Sequence, residues 1–361
     1  MNAAVFDIGG TNVKYGLYRM QGKAKNSKES LGHSPLSFVE SLAAGQRQLL
    51  YLGTFPTEGH KGKDRLLHRI RAVASSLPDL DAISLCSRGQ IDPDRKLLLH
   101  DRDDIIKGYT GTDFRKAFAC LNRPVFVEND AKAAGLAEAA CFQDQEIDLS
   151  SKAASPASSS FRPHITVYMC FGSGIGGSVF FDSRLIRGFS QSAGEFGKMP
   201  LQVDSPLRYE DRYSVSALIE DCRALCPAIK DGRKLAALLF SYPGAASSAP
   251  MSPDRALNIS MTRSSANLID PERRRKIEKI YRNWLLGVSS GILSIIYALD
   301  PERLILGGGF LESPPVFDDI RRSVLSRMET GFQAELFPCR FGNKAGLIGA
   351  GLLAEKGLGL F

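Results

Sequence analysis

Ala3-Ala4-Val5-Phe6-Asp7-Ile8-Gly9-Gly10-Thr11-Asn12-Val13-Lys14-Tyr15-Gly16-Leu17-Tyr18 reads as two short strands folded about a pair of glycines. Ala3 to Ile8 is an apolar run, and Val13 to Tyr18 resumes strand-like alternation. The same order recurs further on, where His164 to Phe171 and Ser178 to Phe181 flank Gly172-Ser173-Gly174-Ile175-Gly176-Gly177. Two halves that open alike predict two α/β lobes facing each other across a cleft, the kind of place where ligands sit.

Length and composition agree. At roughly 150 residues per domain, 361 residues predict two domains. The 43% hydrophobic and 24% charged residues supply ample core and exclude wholesale disorder. The net charge of +7 is scattered, with one short knot at Arg273-Arg274-Arg275-Lys276, and reads as a solvated surface rather than a nucleic-acid footprint. Seven cysteines (Cys86, Cys120, Cys141, Cys170, Cys222, Cys226 and Cys339) without framework spacing fit reduced thiols and a cytoplasmic location. No secretory leader is expected from residues 1–8. The most apolar stretch, Trp284 to Leu299, is too short for a bilayer and carries three serines, so no membrane association is expected.

Elsewhere Leu49–Phe55, Ala82–Leu85 and Val125–Val127 read as strands, and Gly22–Gln48 as a weakly patterned excursion. Leu66, Leu67, Ile70, Val73, Ala74 and Leu77 follow the spacing of a helix with one buried face. Further helices are expected near Asp113–Leu121 and over the Ala-rich Asp130–Phe142. Asp270-Pro271-Glu272 is a helix start, with an N-cap, a first-turn proline and an acid at the positive end of the dipole. That helix runs to about Leu299 and presents Ile277, Ile280, Trp284, Val288, Ile292, Ile295, Ile296 and Leu299 along an apolar stripe. Ser150–Ser160 and Phe240–Pro253 are low-complexity loops.

Five constellations carry chemistry. In Asp7–Lys14, two glycines let backbone amides approach a phosphate, Thr11 and Asn12 donate hydrogen bonds, Lys14 adds a cation, and Asp7 suits magnesium held through water. An ordinary hairpin turn with an incidental acid explains the same residues. Gly172–Gly177 satisfies the dinucleotide fingerprint literally, but the β-rich Ser178-Val179-Phe180-Phe181 follows where that fold needs a helix, leaving a second phosphate-approaching hairpin. In Val127-Glu128-Asn129-Asp130 an acid can take a proton from a hydroxyl that Asn129 holds; the bland alternative is that Asp130 is a helix N-cap. Ala193–Lys198, with Glu210 and Ser214 beyond, offers carboxylates for adjacent hydroxyls, or simply surface acids. Leu299 to Gly309 is a strand ending in Gly307-Gly308-Gly309, flat enough to lie against a purine or ribose, or a tight strand-to-helix turn.

Together and in this order, these motifs resemble the ROK family (repressors, open reading frames and sugar kinases) of the actin-like ATPase and hexokinase superfamily. Ile83–Asp92 and Gly108–Thr112 are similar to further family segments and lean toward its β-glucoside kinase and N-acetylmannosamine kinase side. The resemblance implies an α/β, two-lobed actin-like ATPase (ribonuclease H-like) fold with a central cleft. It implies a smaller lobe over residues 1–129, rejoined by a C-terminal helix within 346–361. A larger lobe over 130–345 would carry insertions near 145–163 and 240–269. It also implies a kinase that moves the γ-phosphate of ATP, with Mg²⁺, to a hydroxyl (a primary one in the simplest case) of a hexose, N-acetylhexosamine or β-glucoside. Asp130 would be the base. Asn129, Glu195 and Glu210 would hold the sugar. Asp7, Gly9, Gly10, Thr11, Asn12 and Lys14 would form the first phosphate motif, Gly172, Gly174 and Gly177 the second, and Gly307, Gly308 and Gly309 would touch the nucleoside. The expected partners are sugar and ATP; a homodimer, common in such kinases, is left open.

Two departures from the family pattern bear on substrate and metal. Lys198 stands where such kinases commonly have a histidine serving sugar and a structural zinc, and no cysteine or histidine lies between it and Tyr213, so no zinc is expected. Arg88 lies in a loop that usually carries small residues. The two cations either select an anionic substrate or pair with Glu195 and Glu210. A sugar- or nucleotide-binding ROK protein that has lost turnover is the alternative reading. A DNA-binding repressor is not expected, because the first phosphate motif begins at residue 7 and leaves no room for a helix-turn-helix.

Overall fold

In the computed structural model, residues 1–20, 38–42, 47–101, 104–150, 164–201, 204–240 and 270–360 are described. The expected loops at 151–160 and 241–253 and most of the 22–48 excursion lie outside them.

The opening hairpin pairs β1 (Asn2–Ile8) with β2 (Asn12–Met20), from Asn2 opposite Arg19 to Ile8 opposite Val13. β3 (Phe38–Leu42) and β4 (Arg47–Pro56) extend this sheet on one side. On the other side β5 (Ala82–Ser87) and β8 (Val125–Asn129) run parallel to β1, giving the order β3-β4-β2-β1-β5-β8. β5 is buried at all six positions, as expected of a parallel strand covered on both faces. β6 (Gln90–Asp92) and β7 (Leu97–His100) form a separate small hairpin.

A second sheet has the order β11-β10-β9-β12-β13. It contains β9 (Ile165–Phe171), β10 (Ile175–Phe181), β11 (Arg184–Ile186), β12 (Arg303–Gly307) and β13 (Glu335–Pro338). β12 runs parallel to both β9 and β13. Both sheets therefore repeat one pattern, in which a glycine-turned pair of strands is followed by two parallel strands.

The chain divides into two compact units. Unit 1 comprises Met1–Pro163, Ser178–Ala193 and Asn343–Phe361; unit 2 comprises His164–Gly177 and Gly194–Gly342. Unit 1 thus extends past residue 129, because α3 (Asp130–Ser150) and the C-terminal helix α9 (Ala345–Gly357) pack on each other and on the ends of β5 and β8.

The core of unit 1 joins Phe6, Ile8, Ile83, Leu85 and Val127 to Leu66, Leu67, Ile70 and Ala74 of α1 (Lys63–Ser75) and to Phe114 and Phe118 of α2 (Phe114–Phe118). Each of the valine, leucine, isoleucine and phenylalanine side chains contributes about 1.5–3 kcal/mol by leaving water. The helix expected over 113–121 is shorter, since α2 passes into a 3₁₀ turn at Ala119–Leu121.

Unit 2 contains α4 (Tyr209–Tyr213), α5 (Val215–Leu225), α6 (Gly232–Phe240), α7 (Pro271–Leu299) and α8 (Pro314–Leu325). The Asp270 side chain caps α7 by accepting from Arg273 N–H at 3.3 Å. Its buried face runs from Ile277 through Trp284 and Val288 to Ile296, and Trp284 Nε1 donates to the Tyr213 carbonyl at 2.9 Å. No helix among the described residues is long and apolar enough to cross a membrane.

Candidate active site

In unit 1 the singled-out residues gather at the carboxyl ends of the parallel strands. Asp7 stands in register with Cys86 of β5, Cys86 with Glu128 of β8, and Ser87 with Asn129. The first glycine turn closes with Gly9 N–H donating to Asn12 O at 3.0 Å. Thr57 pins it from outside: its hydroxyl donates to Gly9 O at 2.7 Å and its N–H to Thr11 O at 2.8 Å. Lys14 Nζ donates to Asp7 Oδ2 at 2.9 Å and to Asn343 O at 3.1 Å. Burial drags the Lys14 pKa down, but the charge and hydrogen bond of Asp7 outweigh it and leave the ammonium above its ordinary value.

Asp130 opens α3. Its Oδ1 accepts from Ala131 N–H at 2.8 Å and from Asn129 Nδ2 at 3.1 Å. Asn129 is itself the cap of α3, its Oδ1 accepting from Lys132 N–H at 3.1 Å while its Nδ2 also donates to Gly89 O at 2.9 Å. The capping position thus falls to Asn129, and the Asp130 carboxylate is oriented by its neighbour. Glu128, 1% exposed, is held by Arg187 at 2.8 Å. Cys86 is fully buried between these acids: burial first, then the charges of Asp7 and Asp130, push its thiol well above the ordinary range.

Arg88 finds a partner that the sequence reading did not anticipate. Its Nε donates to Asp101 Oδ1 at 2.7 Å, and Asp101 belongs to the same unit. Lys198 does lie 3.2 Å from Glu195, the two joined by one 3₁₀ turn at Phe196–Lys198.

In unit 2 the parallel pair β9–β12 brings the other motifs together, with Gly307 in register with Cys170. The second glycine turn is confined to Gly172-Ser173-Gly174, closed by Gly172 N–H to Gly174 O at 2.9 Å. Gly177 lies within β10, where a side chain would run into Phe196 and the Tyr168 carbonyl. Glu210, on α4, accepts from Ile175 N–H at 3.2 Å and so braces that turn. Gly308 has φ +118°, and a Cβ there would fall 2.0 Å from Phe171 O, so only glycine fits beside the end of β9.

Thr57, Asp101 and Arg187 were not foreseen; each is an ordinary polar residue whose partner is distant in sequence. Among the described residues no cluster of three or more His, Cys, Asp or Glu could hold a metal ion. Asp7, its Oδ2 taken by Lys14, suits magnesium through water rather than directly, which matches an ion that keeps several waters.

The chain belongs to the ROK family, whose family model matches residues 5–227 and 261–357. A beta-glucoside kinase of Klebsiella pneumoniae is 26% identical over 353 residues, covering 97% of this chain and 95% of its own length. The xylose repressor of Bacillus subtilis is 24% identical over 290 residues, covering 79% of this chain and 64% of the repressor. A ROK family glucokinase from Streptomyces griseus, solved with glucose and AMPPNP, superposes with a TM-score of 0.65 at 22% identity over 99% of this chain and 100% of that one. The fold is the α/β actin-like ATPase fold of ROK sugar kinases.

Proposed function

We propose that this chain is an ATP-dependent sugar kinase that transfers the γ-phosphate to a hydroxyl, a primary one in the simplest case, of a hexose, N-acetylhexosamine or β-glucoside. The observation that carries this reading is the convergence of Asp7, Cys86, Asn129 and Asp130 at the carboxyl ends of β1, β5 and β8, the end at which α/β sheets bind ligands. The similarity to a beta-glucoside kinase over 95% of that protein's length supports it.

In this reading Asp130 accepts the proton of the attacking hydroxyl, its carboxylate aimed by Asn129 and Ala131. Such general-base help is worth ~10²–10⁴-fold, the remainder coming from positioning and charge neutralisation. Asp7 would hold magnesium through water, and the ion would supply neutralisation of charge on the phosphate oxygens. Gly9, Gly10, Thr11 and Asn12 receive phosphate with Lys14 beside them, Gly172 and Gly174 form the second phosphate turn, and Gly307–Gly309 receive the nucleoside. Glu195 and Glu210 hold sugar hydroxyls. Lys198 in place of a histidine, with no cysteine between it and Tyr213, does not fit a structural zinc; stoichiometric zinc in purified protein would refute that. Cysteines free of disulfides support a reducing, cytoplasmic setting.

Release of ADP screened against glucose, mannose, N-acetylmannosamine and β-glucosides tests the reading, and at least one sugar should drive turnover well above the sugar-free rate. A sugar- or nucleotide-binding protein without turnover is the second reading, favoured by the Lys198 ammonium on the Glu195 carboxylate. Sugar-dependent ADP release dismisses it.

A further inference from the structure

Arg88 follows β5 in the loop before β6. Its backbone N–H donates to Ile8 O at 3.3 Å, which ties this loop to the end of β1. Its Nη1 lies 2.9 Å from the point where a Cβ on Gly10 would stand. The guanidinium therefore rests against the first glycine turn, and Gly10 leaves the room for it.

The guanidinium is held there by a built support. Asp101 is 5% exposed. Its backbone N–H donates to Thr110 Oγ1 at 3.0 Å, and its Oδ1 takes Arg88 Nε at 2.7 Å. Its other oxygen, Oδ2, is buried without a hydrogen-bond partner among the described residues. A carboxylate so buried demands a cation beside it, which fixes the arginine in one place. A planar, permanently charged fork fixed beside backbone amides is suited to the oxygens of a phosphoryl group. The neighbouring Asp7 is offset by Lys14, so the turn is not left with an unopposed negative charge.

We propose that Arg88 contacts the phosphoryl group in transit, the γ-phosphate of ATP lying on the Gly9-Gly10 turn, and that Asp101 is its positioning residue. The proposal rests on the kinase reading and adds to it a residue outside the two glycine motifs.

Titration calorimetry of the full chain with AMPPNP and with ADP tests it on the wild type, R88K, R88Q and the double variant R88Q/D101N. The double variant removes both charges together, so it does not leave the buried Asp101 uncompensated. R88Q and R88Q/D101N should lose about tenfold or more in AMPPNP affinity while ADP affinity stays within about twofold, with R88K between them and the wild type. Equal losses for both nucleotides, or no loss, overturn the proposal. So does a loss confined to turnover of a phosphorylated disaccharide with nucleotide binding unchanged, since Arg88 would then face an anionic sugar. If the wild type binds AMPPNP and R88Q loses that preference while no sugar is consumed, Arg88 stands and the kinase reading falls. If sugar is consumed and R88Q keeps its AMPPNP affinity, the reverse holds. A wild type that binds no AMPPNP refutes both.

Discussion

Lys14 Nζ lies 2.9 Å from Asp7 Oδ2, and the two residues stand opposite each other in the β1–β2 register. The pair bridges the first glycine turn at its base, so the acid proposed for magnesium carries its own counter-cation. Because the Lys14 pKa is raised above 10.5 in the fold, the charged form is favoured in the native state. Its contribution is complete below the unfolded value and is lost as pH rises through the folded one. The urea midpoint of the wild type should fall between about pH 10 and about pH 12, whereas K14M should start lower and fall less over that window. Parallel pH curves for the two proteins would remove the pair from the stability account.

Asp130→Asn should lower kcat by ~10²–10⁴-fold or more while leaving sugar affinity within a few-fold. Asn can still accept from Ala131 N–H, so the start of α3 should hold. Steady-state kinetics with the best sugar of the screen, beside equilibrium sugar binding, checks this. Turnover near the wild-type rate would displace Asp130 as the base.

Native thiol labelling at about pH 8 should separate the cysteines by burial. Cys120 is exposed and should react first, while Cys86 and Cys222 are buried. Cys86 is pushed far above the reactive range, and Cys222 up to about 12, chiefly by burial. Both should resist a maleimide or iodoacetamide until urea is added. Peptide mass spectrometry reads the sites, and rapid native labelling of Cys86 would contradict its position between the acids.

Glu355, fully buried on α9, accepts from Tyr18 OH at 2.8 Å and from Arg47 Nε at 3.1 and 3.2 Å. Glu355→Ala removes the buried carboxylate that takes both Tyr18 and Arg47 and should cost about 3–5 kcal/mol, whereas Tyr18→Phe removes one neutral donor and should cost about 0.5–1.5 kcal/mol. Urea denaturation gives both numbers. An E355A protein as stable as the wild type would mean that α9 is held by its apolar face alone.

Where the sequence was legible, the information was local. Glycine pairs between apolar runs marked both hairpins, and Asp270-Pro271-Glu272 marked the start of α7. What failed were relations across the chain. An arginine's sequence neighbours do not name its partners, so Asp101 beside Arg88 went unforeseen. Asn129 and Glu210 were read as sugar ligands, yet the first also caps α3 and the second also braces the turn before Ile175. Strand β3 sits in a stretch whose composition is mostly polar, and its pairing with β4 is what makes it a strand. The extra length of β10 hid in Ile175, Gly176 and Gly177; glycines signal turns by type, but Gly177 here leaves room for Phe196 within the strand.

Helix α9 belongs to the unit that begins at Met1, although all of unit 2 is encoded before it. During synthesis, therefore, the opening sheet emerges from the ribosome long before the helix that covers Tyr18 and Arg47 exists. The later unit has every one of its own segments at hand before the opening strands are sealed.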